Sequence, residues 1–138
     1  MCELKFNGKL KTWFVNVAML LLCTAIGCSG KSVASYKPSN EVARQALQTA
    51  LSTWKSGAKH DPITSVKPNL EVFDARWQAG SKLESFEILE EVPDKPQPQF
   101  KVKLKLVGKP EETTDYLVVG IDPLLIFRQE DYNKATGT

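Results

Sequence analysis

Apolar residues recur along this chain with two different periods. Ala43, Leu47, Ala50, Leu51 and Trp54 stand at i, i+4, i+7, i+8 and i+11, a single stripe at helical spacing. Ser39 or Asn40 is placed to cap that helix, Glu41 sits in its first turn where the dipole favours negative charge, and Gly57 stops it. Arg44, Gln45, Gln48 and Lys55 take mainly the other sides. Ala58 to Leu70, with Pro62 and Pro68, reads as an irregular or short helical connection. Glu71 to Trp77 fits either a short strand or a turn of helix, and Gln78-Ala79-Gly80-Ser81 is a turn signal.

Beyond that turn the period falls to two. Leu83 to Val92 is a strand candidate, and three prolines from Pro93 to Pro98 mark a loop. Phe100, Val102, Leu104 and Leu106 alternate with Lys101, Lys103 and Lys105, the pattern of a half-buried strand. Gly108-Lys109-Pro110-Glu111 is a turn. Thr113 to Ile121 is apolar on both sides near its end and suits an interior strand. Asp122-Pro123 interrupts, Leu124 to Arg128 forms the last strand, and residues 131–138 read as a flexible tail. A register that sets Ile88 against Leu104 and Phe86 against Leu106 also sets Glu91 against Lys101 and Glu87 against Lys105. The lysine row is then a solvated sheet face, not an anion-binding stripe. The predicted fold class is α+β: one long N-terminal helix packed on a curved antiparallel sheet of about four strands, spanning 39–130.

The pattern before this domain is different in kind. Lys5, Lys9 and Lys11 precede an apolar run of 14 residues, Trp13 to Ile26, centred on Met19-Leu20-Leu21-Leu22. A spanning helix needs roughly 20 apolar residues, so the run reads as an export signal. Its end, Ala25-Ile26-Gly27-Cys28, resembles the signal box of bacterial lipoproteins, with Ala25 standing where leucine is usual. The resemblance implies cleavage before Cys28, a diacylglycerol on its thiol and an acyl group such as palmitate on the new amino terminus. Residues 1–27 are then the signal peptide and 28–38 a lipid-attached tether. The expected location is the membrane, facing the periplasm or the cell exterior. Cys2, Cys23 and Cys28 are the only cysteines, so the exported domain has no thiol with which to form a disulfide.

Charge changes the picture once the leader is set apart. Removing its three lysines and Glu3 from the chain's 18 basic and 16 acidic residues leaves 15 of each. A neutral domain offers no basic excess for nucleic acid or for an anionic membrane. Membrane attachment therefore falls to the lipid on Cys28.

From Ser39 to Glu130 the order of elements resembles the nuclear-transport-factor-2-like and cystatin-like superfamily. The points of likeness are a helix ending in Trp54-Lys55-Ser56-Gly57, the Trp77-Gln78-Ala79-Gly80 turn before Leu83 to Leu89, and Tyr116 to Arg128 closing the sheet. That resemblance implies a bent sheet around a cone-shaped cavity, with a second helix drawn from Ala58 to Leu70. Enzymes of that fold place a carboxylate, His or Tyr inside the cone. Asp74, Arg76 and Tyr116 are the candidate ligand-contacting residues here. Asp74 and Arg76 would share a face if Glu71 to Trp77 is a strand. Arg128 is a further cavity-lining candidate, and His60 beside Asp61 is an imaginable general base. One histidine and no downstream thiol exclude most transition-metal sites, and neither a phosphate loop nor a Gly-x-Ser-x-Gly motif occurs. No catalytic residue, metal or cofactor is assigned. The expected function is a non-catalytic, lipid-anchored domain that binds a partner protein or a small apolar ligand. The alternative is a small isomerase or hydratase using Asp74 or His60.

Overall fold

A computed structural model describes residues 37–138; the expected signal peptide, Cys28 and all but the last two residues of the tether lie outside the described residues. The first element, α1 (Asn40–Lys55), forms where the apolar stripe predicts it. Ser39 caps it, its Oγ accepting from the Val42 N–H at 3.2 Å, and Gly57 at φ +86° takes the chain out of the helix. Its buried face is Ala43, Ala46, Leu47, Ala50, Leu51 and Trp54. Three alanines on that face let the helix axis lie close to the sheet, while Leu47, Leu51 and Trp54 fill the spaces between strands.

The sheet has five strands, β1 (Leu70–Phe73), β2 (Leu83–Glu91), β3 (Gln99–Leu106), β4 (Glu112–Gly120) and β5 (Leu124–Arg128). Their order is β1-β5-β4-β3-β2, an antiparallel meander from β2 to β5 with β1 added in parallel beside β5. The class is α+β, but the sheet is mixed and one strand larger than the periodicity predicts. The added strand is β1, in the segment that reads as either strand or helix. Four residues, Leu-Glu-Val-Phe, are too few to establish a period, and its partner lies more than fifty positions away in the sequence. No helix forms in 58–70; that segment is irregular and returns on itself through an Ile63–Leu70 bridge.

The β2–β3 register also differs from the expected one. Phe86 lies opposite Leu104, Ile88 opposite Val102 and Glu87 opposite Lys103, two positions from the predicted pairing, with irregularities at Glu84 and Leu89. The side-chain period of two is preserved under a two-residue slip, so the same faces point inward and the pattern alone cannot separate the registers. The lysine row is nonetheless a face of cross-strand pairs: Lys101 with Glu90 at 3.3 Å, Lys103 with Glu87 at 3.9 Å and with Glu111 at 3.6 Å. The bulge at Leu89 adds one residue and brings Glu91 to the helix side, where it meets the Asn40 amide.

The core lies between α1 and the inner face of the sheet. Phe100, Val102, Leu104, Val118 and Ile126 are fully enclosed there, with Phe86 and Ile88 packed at its margin. On the outer face, Phe73 and Phe127 stack across the β1–β5 pair with ring centres 4.5 Å apart. The expected tail instead contains a helix, α3 (Gln129–Thr136), whose Tyr132 meets Phe127 edge-on at 5.4 Å. Its sequence carries no apolar stripe, because polar contacts hold it. Among the described residues, no helix is long and apolar enough to cross a membrane.

Candidate functional site

The segment that reads as strand or helix is both in succession. β1 ends at Phe73, and Asp74, with extended backbone (φ −129°, ψ 112°), caps a one-turn helix, α2 (Ala75–Gln78). An aspartate before Ala-Arg-Trp-Gln is the residue type that a helix start prefers. Its Oδ1 accepts from the N–H groups of Arg76 at 2.9 Å and Trp77 at 3.4 Å. The cap turns Arg76 away from Asp74, so the two do not share a strand face. Arg76 Nη1 pairs with Glu112 Oε1 at the start of β4.

The second oxygen of Asp74 faces β4. Tyr116 Oη donates to Asp74 Oδ2 at 2.5 Å. Tyr116 lies opposite Arg128 in the β4–β5 register. Arg128 Nε and Nη2 donate to Asp131 Oδ2 and Oδ1 at 3.0 and 3.2 Å, a two-pronged pair across one turn of chain. Asp131 Oδ2 also accepts from the Ala75 N–H at 3.0 Å. Two aspartates, 57 positions apart, thus take up the first three N–H groups of α2.

Enclosure sets the electrostatics of this cluster. Asp74 and Tyr116 are 0 % exposed and Arg128 is 4 % exposed. Burial pushes the Tyr116 phenol well above its ordinary range, and the Asp74 charge and hydrogen bond push it further. Arg128 and Arg76 pull the other way without reversing the outcome. The phenol is therefore a hydrogen-bond donor and stays protonated. For Arg128, burial works against the cation. The hydrogen bond to Asp131 and the charges of Asp74, Asp131 and Glu130 outweigh it, so its proton is held more firmly than usual. For Asp131, burial favours the neutral acid. Hydrogen bonds from Arg128 and the Ala75 N–H, with the charges of Arg128 and Lys134, prevail and hold its carboxyl below the usual range.

That depressed value carries a pH dependence. A carboxylate with a lower pKa folded than unfolded contributes stability that is full above the unfolded value, about 3.9 for aspartate, and is lost as the pH falls through the folded one. Asp131→Asn should therefore lose most stability near neutral pH, and its difference from the natural chain should shrink as the pH drops through and below about 4. Urea midpoints measured across that range test this; a constant difference would show that the Asp131 charge plays no part.

Of the other sequence candidates, His60 is tied to the backbone. Its Nε2 lies 2.6 Å from the Val72 carbonyl oxygen, an acceptor only, so this nitrogen carries the proton. The imidazole stands edge-on to Trp77 at 5.2 Å, and Asp61 beside it is exposed. Together they border an open groove of 400 Å³ with Lys59 and Lys82. Trp77 Nε1 donates to the Ala58 carbonyl at 3.0 Å, and Trp54 Nε1 to the Ser81 carbonyl at 2.7 Å. The two indoles stack 5.6 Å apart, which fastens the 58–70 connection and the turn after α2 to the end of α1.

The structure thus unites Asp74 with Tyr116, keeps Arg128 beside Tyr116, leaves Arg76 close enough for its charge to act on the phenol while its side chain pairs with Glu112, and places His60 elsewhere. Sequence reasoning missed Asp131 and Glu112. An Arg-x-x-Asp spacing at 128–131 was visible as a helical ion pair, but no apolar periodicity marked the helix bearing it. Among the described residues, no group of three or more His, Cys, Asp or Glu side chains is placed to hold a metal ion. Comparison with protein-family models, curated proteins and solved structures finds no match to this chain.

Proposed function

We propose that this protein is a lipid-anchored, exported binding or scaffold domain without catalytic activity, of the cone-sheet kind that its element order resembles. The observation that carries the non-catalytic part is the enclosure of Asp74, Tyr116 and Arg128. Each is engaged with neighbouring groups of the fold, and none is open to a substrate. A general acid or base must come within hydrogen-bond reach of the reacting group, whereas these residues hold α2 and α3 against β4 and β5. The binding part is supported by the outer sheet face, where Phe73, Leu125, Phe127 and Val119 keep partial exposure. Such a face suits a protein partner or a small apolar ligand better than a polar metabolite.

The anchor is supported by the Ala25-Ile26-Gly27-Cys28 box and by the absence of cysteine after it. One acyl chain holds a protein to a bilayer only reversibly, while two or three give stable attachment. Mass spectrometry of the membrane fraction should find a lipid-modified fragment beginning at Cys28. Cys28→Ala should move the protein out of its lipid-anchored form while leaving its thermal unfolding unchanged. An unmodified Cys28, or a Cys28→Ala chain that no longer folds, would contradict the anchor.

A further inference from the structure

Among the described residues, Ile121 and Val42 are two of four large apolar side chains that stay open to solvent, at 50 % and 43 % exposure. Single exposed apolar residues are ordinary. These two come from different elements, the β4–β5 turn and the first turn of α1, and line one groove of 390 Å³ with Pro68, Lys37, Lys67 and Asp122. A second groove of 380 Å³ continues from it along α1, sharing Val42, Lys67, Pro68 and Leu124. The apolar floor therefore extends beyond one crevice, and its rim carries two lysines against one aspartate.

The position of this surface matters as much as its chemistry. Lys37, the first described residue, is itself part of the groove. Only eight residues, 29–36, lie between it and the anchor expected on Cys28, and the nine Cα steps reach at most about 30 Å fully extended. The tethered end is thus confined near the lipid headgroups, at an effective concentration where weak contacts suffice. The domain's zero net charge gives no long-range pull toward anionic lipid. Lys37 and Lys67 act at short range, within a Debye length of about 8 Å.

We propose that this end of the domain docks on the bilayer surface itself, with Ile121 and Val42 entering the interface and Lys37 and Lys67 at the level of the phosphates. The inference rests on the lipid anchor and fixes how the anchored domain is oriented: α1 begins at the membrane, and the β3–β4 turn, with Val107 at 59 % exposure, points away from it.

The test places a reporter at each end of the full chain. Ile121→Trp and Val107→Trp are made separately in a host that lipidates such boxes, and each protein is reconstituted in phosphatidylethanolamine–phosphatidylglycerol vesicles carrying brominated acyl chains. Trp54 and Trp77 give the same background in both. Quenching severalfold stronger at 121 than at 107 is the expected result. Equal quenching, or none at 121, overturns the docking. A tryptophan at 121 that is shielded from both brominated lipid and aqueous iodide also overturns it, and assigns the groove to residues 29–36 of the tether. The mass of the same preparation separates the two ideas. Lipid on Cys28 without quenching at 121 refutes docking alone; no lipid on Cys28 refutes the anchor and the docking with it. Val42→Trp repeats the measurement should the turn not accept the larger side chain.

Discussion

Asp74→Ala is expected to lower the folding stability of the domain by about 2–5 kcal/mol, combining a lost helix cap of about 0.5–2 kcal/mol with a buried donor left unsatisfied. Three losses combine at one carboxylate. The Tyr116 hydroxyl, fully enclosed, loses its acceptor. The Arg76 and Trp77 N–H groups lose their cap. Arg128, buried beside them, loses one of the negative charges that hold it protonated. An unsatisfied buried donor alone costs about 1–3 kcal/mol. Asp74→Asn should fall between, because an amide oxygen still caps α2 or accepts from the phenol but brings no charge. Tyr116→Phe should cost least, since it leaves the cap in place. Urea unfolding followed by tryptophan emission checks the series. Equal losses for Asp74→Ala and Tyr116→Phe would mean that the cap contributes nothing.

Trp54→Ala should be comparably damaging, by about 3–5 kcal/mol, as for other large core truncations. Trp54 is buried at the last turn of α1, stacks on Trp77 and donates to the Ser81 carbonyl. The truncation opens a cavity and removes an aromatic contact worth about 0.5–1.5 kcal/mol beyond its area. The Ser81 carbonyl is also left without its donor. Trp54→Phe keeps most of the volume but not the N–H, so it should recover more than half of the loss. Guanidinium unfolding by far-UV circular dichroism, which does not depend on the deleted indole, is the suitable measurement. If Trp54→Phe were as unstable as Trp54→Ala, the hydrogen bond rather than the packing would dominate.

The parts of the fold legible in the sequence are those with many residues in one period. α1 follows from five apolar positions and a serine cap, and β3 from four apolar positions between lysines. Their buried faces agree with the stripe that each shows. Length is what fails β1 and α2, at four residues apiece. Their stability comes from distant partners, β5 and the two aspartates, which no local pattern records. The register of β2 fails for a different reason: over Phe86 to Ile88 it is offset by two positions, which leaves the inward face unchanged, and the bulge at Leu89 then turns Glu91 inward. At the candidate site, Asp74, Tyr116 and Arg128 are singled out because the fold that the element order resembles lines its cavity with such polar groups. Their purpose was harder to see. A buried carboxylate reads the same in a sequence whether it serves a substrate or a helix cap. Only the hydrogen bonds to α2 and Tyr116 distinguish the two. α3 escapes because Arg128, Asp131 and Tyr132 hold it without an apolar stripe.

The parallel pairing of β1 with β5 orders events in time as well as in space. Leu70 to Phe73 must wait for Leu124 to Phe127, and the N–H of Ala75 waits for Asp131. Between them lies the whole meander, so these contacts close late and across a long stretch of chain. A polypeptide emerging amino end first cannot complete its sheet until nearly all of it has appeared. On the export route proposed above, a chain built this way stays threadable while it is in transit and is sealed only when Leu124 to Asp131 arrive.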